Sequence, residues 1–175
     1  MPLLKNGRLI DDPWVHVADE VAIPASGPVI VSFVRWCEER DALIDRKNLV
    51  GVRLKAEQTA SEVAADLEHL GVVALAFNTF RDGRAYSNAR RLRERYGYKG
   101  ELRAIGNVLR DQYLFMLRCG FDALEVKEGE TEADWQDATD AISTAYQPAA
   151  TDDKPLVMSL RERRQAAARA TPGEG

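Results

Sequence analysis

Arginine is well suited to holding an oxyanion, because its planar guanidinium presents parallel N–H donors that match a carboxylate, phosphate or sulfate. The stretch 81–118 holds ten Lys and Arg against four Asp and Glu, a local charge of +6 in a chain whose net charge is −4. Two places in it combine arginine with turn or helix-entrance chemistry. The first is Arg81-Asp82-Gly83-Arg84, where Asp-Gly marks a turn and the nearby Tyr86 and Ser87 add hydroxyl donors. The second runs from Asn107 to Gln112. Asn107 is placed to cap a helix; Asp111 complements the helix dipole and Arg110 opposes it, so an arginine there points to an anion or an acidic partner. Gln112 falls on the apolar stripe of the same helix and needs a hydrogen-bond partner if buried. The candidate anion- or partner-binding set is therefore Arg81, Asp82, Gly83, Arg84, Tyr86, Ser87, Asn107, Arg110, Asp111 and Gln112. A competing reading pairs these arginines with neighbouring acids at helix starts. Arg90 and Glu94 stand at i,i+4 spacing, so residues 90–95 read as a solvated face.

Other chemistries lack their residues. There is no Walker A loop, Gly-x-Gly-x-x-Gly fingerprint, His-Glu-x-x-His or Gly-x-Ser-x-Gly elbow, so no cofactor is evident and no catalytic group stands out. His16 and His69 are far apart and have no neighbouring Cys or carboxylate constellation, which favours a structural or surface role for each. Cys37 and Cys119 form no Cys-x-x-Cys pair and read as core or helix-face residues, with no metal site implied. The modest net charge gives no general attraction to nucleic acid or anionic membranes, and the basic stretch carries no nucleic-acid reading motif. No stretch approaches the roughly 20 apolar residues that span a bilayer. The Met-Pro-Leu-Leu-Lys start lacks the apolar core and cleavage site of a secretory signal, so a cytoplasmic location is expected.

These candidates need a scaffold, and the apolar pattern supplies one. Asn6-Gly7 between two short apolar runs predicts an N-terminal β-hairpin over residues 3–10. Asp11-Asp12-Pro13 breaks the pattern, Trp14 to Val17 reads as a short extended piece, and Pro24 to Pro28 forms a second break. Five buried strands follow: Val29 to Phe33, Leu49 to Leu54, Val72 to Phe77, Leu102 to Ile105 and Phe121 to Val126. Their spacing leaves room for crossover helices, which favours parallel pairing. Thr59 to Glu62 resembles a capping box for a helix with Val63, Leu67 and Leu70 inward. Ala85, Ala89, Leu92 and Tyr96 form the next stripe, then Val108, Leu109, Gln112, Phe115, Met116 and Cys119. Thr131 and Asp134 start a last helix, with Trp135, Ala138, Ile142 and Ala145 inward. The expected fold is α/β: a mainly parallel sheet of about five βα units, either an open three-layer sheet or a partial βα barrel, with the hairpin at its edge. Residues 1–147 form one domain, and 148–175 a flexible or peripheral helical tail. Ligands of parallel sheets bind beyond the carboxyl ends of strands, which would put 81–87 and 107–112 in one crevice.

Several strings are specific beyond their composition: Phe80-Arg81-Asp82-Gly83-Arg84-Ala85-Tyr86-Ser87, Leu92-Arg93-Glu94-Arg95-Tyr96-Gly97-Tyr98, Gly100-Glu101-Leu102-Arg103-Ala104, Gly106-Asn107-Val108-Leu109-Arg110-Asp111-Gln112 and Cys119-Gly120-Phe121-Asp122-Ala123. Through them the chain resembles, over roughly Leu3 to Gln147, a bacterial domain family of unknown function described as an oxidoreductase involved in sulfite reduction. The resemblance implies a role in assimilatory sulfur metabolism, since such proteins are typically encoded beside sulfite reductase. It implies an accessory protein that contacts sulfite reductase or binds a small anion; the alternative is a small enzyme acting on a phosphorylated or sulfated metabolite. The family pattern also implies an aspartate where Asn107 stands and Phe-Pro where Phe77-Asn78 stands. An amide cannot titrate, so Asn107 carries no acid–base role.

Overall fold

The computed structural model describes residues 2–47, 49–79 and 82–140. Arg81, Ile142, Ala145, the 148–175 tail and the side chain of Ala138 lie outside the described residues. Strands β1 (Leu3–Lys5) and β2 (Arg8–Ile10) form the expected antiparallel hairpin, and Asn6 and Gly7 both take positive φ, 52° and 75°, as its turn demands. The extended piece after Pro13 contributes β3 (Val15–His16). All five apolar runs become strands: β4 (Val29–Ser32), β5 (Val50–Leu54), β6 (Val72–Phe77), β7 (Glu101–Gly106) and β8 (Ala123–Glu125).

The eight strands make one mostly parallel sheet in the order β2-β1-β8-β7-β6-β5-β4-β3, curled into a half-barrel. The curl follows from chain length. β2 and β3 are opposite edges, yet only residues 11–14 join them. Five Cα steps reach at most about 19 Å, whereas seven flat strand spacings would put the edges about 34 Å apart. The sheet must bend until this short tether crosses its concave face. Gly51 permits that bend, because a Cβ there would stand 2.9 Å from Val72 Cβ and 3.1 Å from Ile30 Cγ1 on the neighbouring strands.

Strand alternation separates two faces. Val29, Val31, Val50, Val52, Leu54, Val73, Leu75, Phe77, Leu102, Ala104 and Leu124 point outward into the main core, beneath the helices. Ile30, Val72, Ala74 and Ile105 point inward to a smaller cluster, with Trp14 of the tether packed against it. The outer layer contains α1 (Phe33–Glu38), α2 (Arg40–Ile44), α3 (Arg84–Arg90), α4 (Tyr113–Arg118) and α5 (Glu132–Asp140). Its winding is less regular than the apolar periodicity predicts. The β5–β6 crossover is a 3-10 helix, Ala64–His69; α3 runs on into a π turn, Arg91–Arg95; and a 3-10 turn, Arg110–Gln112, precedes α4. Thr131 and Asp134 do start α5, since each side chain bonds the other's backbone N–H, and Trp135 is fully buried edge-on against Tyr113 at 5.3 Å.

Three expectations need correcting. Asn107 caps no helix: the chain is still extended at Leu109 (φ −117°, ψ 143°), so the first helical turn opens three residues later. That delay rotates the register of α4 and leaves Phe115 half exposed rather than inward. Arg93 does not belong to a solvated face either. Its side chain is only 9% exposed, donates to the carbonyls of Tyr98, Gly100 and Gly120, and pairs with Asp122. Arg90 and Glu94 form the exposed i,i+4 pair as expected, at 2.8 Å.

Candidate functional site

At the end of β6 the chain turns through Asp82 and Gly83 into α3. Asp82 accepts from the backbone N–H of Arg84 and also from its guanidinium, at 2.6 Å from Nη2. These bonds hold the Asp82 carboxyl down at about 2. Asp82 occupies Nε and Nη2 of Arg84, Nη1 makes no hydrogen bond or ion pair with a described residue, and the Glu57 carboxylate also acts on the guanidinium from the same cleft. Gly83, Arg84 and Ser87 face Gln58 and Thr59 of the loop after β5 across a cleft of about 520 Å³, with Arg91 at its rim. Behind it, the Asn88 side chain ties the two elements together, accepting from the Ala60 N–H and donating to the Gln58 carbonyl.

Among the described residues of the two groups, Gln112 alone hydrogen-bonds across from the second to the first. Its Oε1 accepts from the Tyr86 hydroxyl at 3.0 Å, and Tyr86 sits within contact of the rings of Phe77, Phe115 and Phe121. Burial raises the Tyr86 phenol to about 12, so it stays a neutral donor. Arg110 instead pairs with Asp134 of α5 at 2.8 Å. That carboxyl is held low by the Thr131 backbone and hydroxyl and by Arg110. Asn107 and Asp111 are exposed, and the Asn107 backbone N–H bonds the Phe77 carbonyl. The two strand ends thus meet through Tyr86 and Gln112, while Arg84 and Arg110 each have an acidic partner.

The concave face holds a second constellation, which sequence reasoning missed. Arg103 of β7 is fully buried and donates to Asp12 of the tether (2.5 and 3.0 Å), Glu101 (2.9 Å) and Glu125 (3.2 Å). Lys5 reaches Glu101 at 2.7 Å, and His16 of β3 meets Glu125 of β8 at 2.6 Å. This last contact joins strands from opposite ends of the parallel sheet. Burial opposes the charge of Arg103, but its bonds to Asp12 and Glu101 outweigh that and raise its pKa. Burial likewise favours a neutral Glu125, yet His16 and Arg103 outweigh it and hold the carboxyl below its usual value. An ionised Glu125 can only accept, so His16 presents an N–H at Nε2. Beside this network lies an open cleft of about 590 Å³ whose walls include Asp12, Trp14, His16, Arg53, Ile105 and Glu125. The available signal was the alternation Glu101-Leu102-Arg103-Ala104, which places both charges on one face of a strand.

Among the described residues no group of three or more His, Cys, Asp or Glu is placed to hold a metal ion, and no helix is long and apolar enough to cross a membrane. A family model described as "Bacterial protein of unknown function (DUF934)" matches residues 51–157. No curated protein and no solved structure matches the chain. The matched span contains both strand-end groups, Arg53, Arg103 and Glu125, but not the tether with Asp12 and His16.

Proposed function

The chain belongs to DUF934, a bacterial family of unknown function, and from that premise we propose that it is an accessory protein of assimilatory sulfate and sulfite reduction that holds a small oxyanion. The observation supporting it is the cleft at the end of β6, lined by Arg84, Ser87 and Arg91 with Glu57, where Nη1 of Arg84 makes no hydrogen bond or ion pair with a described residue. A guanidinium can serve a carboxylate with one edge and a ligand with the remaining donor. Its place in sulfur metabolism and next to sulfite reductase rests on the resemblance of the 80–87, 92–98 and 106–112 strings. Nothing in this reading calls for a cofactor.

A second reading, a small enzyme acting on a phosphorylated or sulfated metabolite, draws support from the Tyr86–Gln112 bond. It would set a neutral phenol between the two strand ends, within range of the Asp111 charge. One experiment addresses both. A deletion strain is grown with sulfate as sole sulfur source, and the purified protein is heated with sulfite, sulfate or a sugar phosphate. The accessory reading expects slow growth restored by the wild-type gene but not by Arg84→Ala, with a thermal shift from the inorganic anions. A shift from the sugar phosphate alone favours the enzyme. Normal growth with no shift overturns both.

A further inference from the structure

We propose that the concave-face cleft is a separate binding site for a small organic oxyanion, with Arg53 as its anchor and Trp14 as its apolar wall. Asp12 and Glu125 both accept from Arg103, and Glu125 also from His16. Both carboxylates are therefore occupied by cationic or N–H partners supplied by the protein. Arg53 is different. It lines the cleft, is only partly exposed, and makes no side-chain hydrogen bond or ion pair with any described residue.

The sheet register explains why that guanidinium is available. Arg53 lies in the row Ser32, Arg53, Ala74, Arg103. Ser32 on one side is committed to the Arg35 N–H, and Ala74 on the other is too short to cover it. The acids Asp12 and Glu125, which line the same cleft, are gathered with Glu101 on Arg103, two strands away. A chain that folds its other concave-face cations into ion pairs yet leaves this one open has a donor fork facing solvent in a cleft. His16 adds a second polar group: its Nε2 is held by Glu125, and its other ring nitrogen bonds no described residue.

The walls define the rest of the ligand. Trp14 and Ile105 give the cleft apolar surface beside the charge, and its volume of about 590 Å³ fits a small organic molecule rather than a bare inorganic ion. A planar or aromatic body against the indole, with its carboxylate or phosphate on Arg53, satisfies both. This site is distinct from the Arg84 cleft, which lies at the end of β6 beneath α3.

Trp14 makes the test direct. Trp36 and Trp135 are fully buried, whereas Trp14 is half-buried in the cleft. Tryptophan fluorescence of the full chain is followed during titration with benzoate, phenyl phosphate, sulfate and phosphate, in wild type and in Arg53→Gln, Arg53→Lys and Arg84→Ala. The proposal expects saturable quenching by benzoate or phenyl phosphate, at least tenfold weaker in Arg53→Gln and partly recovered in Arg53→Lys. It expects Arg84→Ala to bind as wild type, and Trp14→Phe to lose the signal while calorimetry still detects binding. Benzoate against phenyl phosphate identifies the preferred headgroup. Absence of saturable binding by either aromatic probe to the wild type overturns the proposal. So does a folded Arg53→Gln protein that binds as tightly as wild type, or binding lost only in Arg84→Ala.

Discussion

Replacing Arg103 by Met isolates the energetics of the concave-face network. The side chain is 0% exposed and serves Asp12, Glu101 and Glu125, whose own side chains are 10–13% exposed. Methionine fills much of the volume, so the loss is electrostatic. Breaking a buried ion pair by removing one partner costs about 3–5 kcal/mol. Lys5 still neutralises Glu101 and His16 still donates to Glu125, which leaves Asp12 as the main orphan and puts the expected loss near the lower end, about 3 kcal/mol. That is a large share of a typical domain stability of about 5–15 kcal/mol. Urea unfolding followed by circular dichroism at pH 7 measures it. A second measurement checks the cause. The folded-state pKa of Glu125 is depressed, so its stabilisation is present above the unfolded value and lost as pH falls through the folded one. Wild type therefore loses this contribution on acidification below about pH 4 and the variant has less of it to lose, so the gap narrows. A loss under about 1 kcal/mol at pH 7, or a gap that is the same at pH 7 and in acid, would refute this account.

Gly106 takes φ +89°, and a Cβ there would stand 2.8 Å from the Phe77 carbonyl oxygen, so Gly106→Ala should destabilise by about 1–3 kcal/mol in the same assay and disturb the turn after β7. Trp135→Ala removes a fully buried ring packed on Tyr113 and should cost about 3–5 kcal/mol, read as a lowered melting temperature; a change of a degree or less would mean that α5 contributes little to the core. The two thiols should separate in a reaction with a disulfide reagent at neutral pH. Cys37 is exposed, but slight burial and the charges of Asp66, Glu62 and Glu38 raise its pKa, so it reacts slowly; Cys119, raised by burial to about 11, reacts only on unfolding. Equal rates would contradict this ordering.

The strands were legible because a parallel strand buried on both faces needs a short unbroken apolar run, and such runs stand out at Val29, Val50 and Val72. Helix type was not. Apolar stripes such as Val63, Leu67 and Leu70 state which face is buried, but whether the backbone closes i+3, i+4 or i+5 bonds depends on how the ends meet the sheet. The candidate turns at 82–87 and 107–112 were found from local chemistry, as was the need of Gln112 for a partner. Pairing with a nearby acid is the competing reading for these arginines, and Arg84 meets it with Asp82 two residues away, whereas the acid that Arg110 meets is not local. For Arg110 that acid is Asp134, 24 residues away. The concave-face network was hidden for a stronger reason. Asp12 reads as a turn residue and Arg103 as an interruption in an apolar strand, and the curl of the sheet alone brings them together from 91 positions apart. His16 likewise has no carboxylate nearby in sequence; Glu125 reaches it from 109 positions away.

The short tether also fixes an order of assembly. Strands β3 to β7 each pair with the next to be synthesised, so the parallel core can grow by adding neighbours. Residues 3–16 are made first, yet β1 needs β8 and His16 needs Glu125, so the hairpin and tether must wait until the chain has passed Glu125. Once β8 has paired with β7 and until the hairpin docks on it, β8 presents an unpaired edge, the kind of surface on which chains pair wrongly with one another. The contacts that set the curvature are thus among the last to form in folding, and their long sequence separation makes the closing step slow.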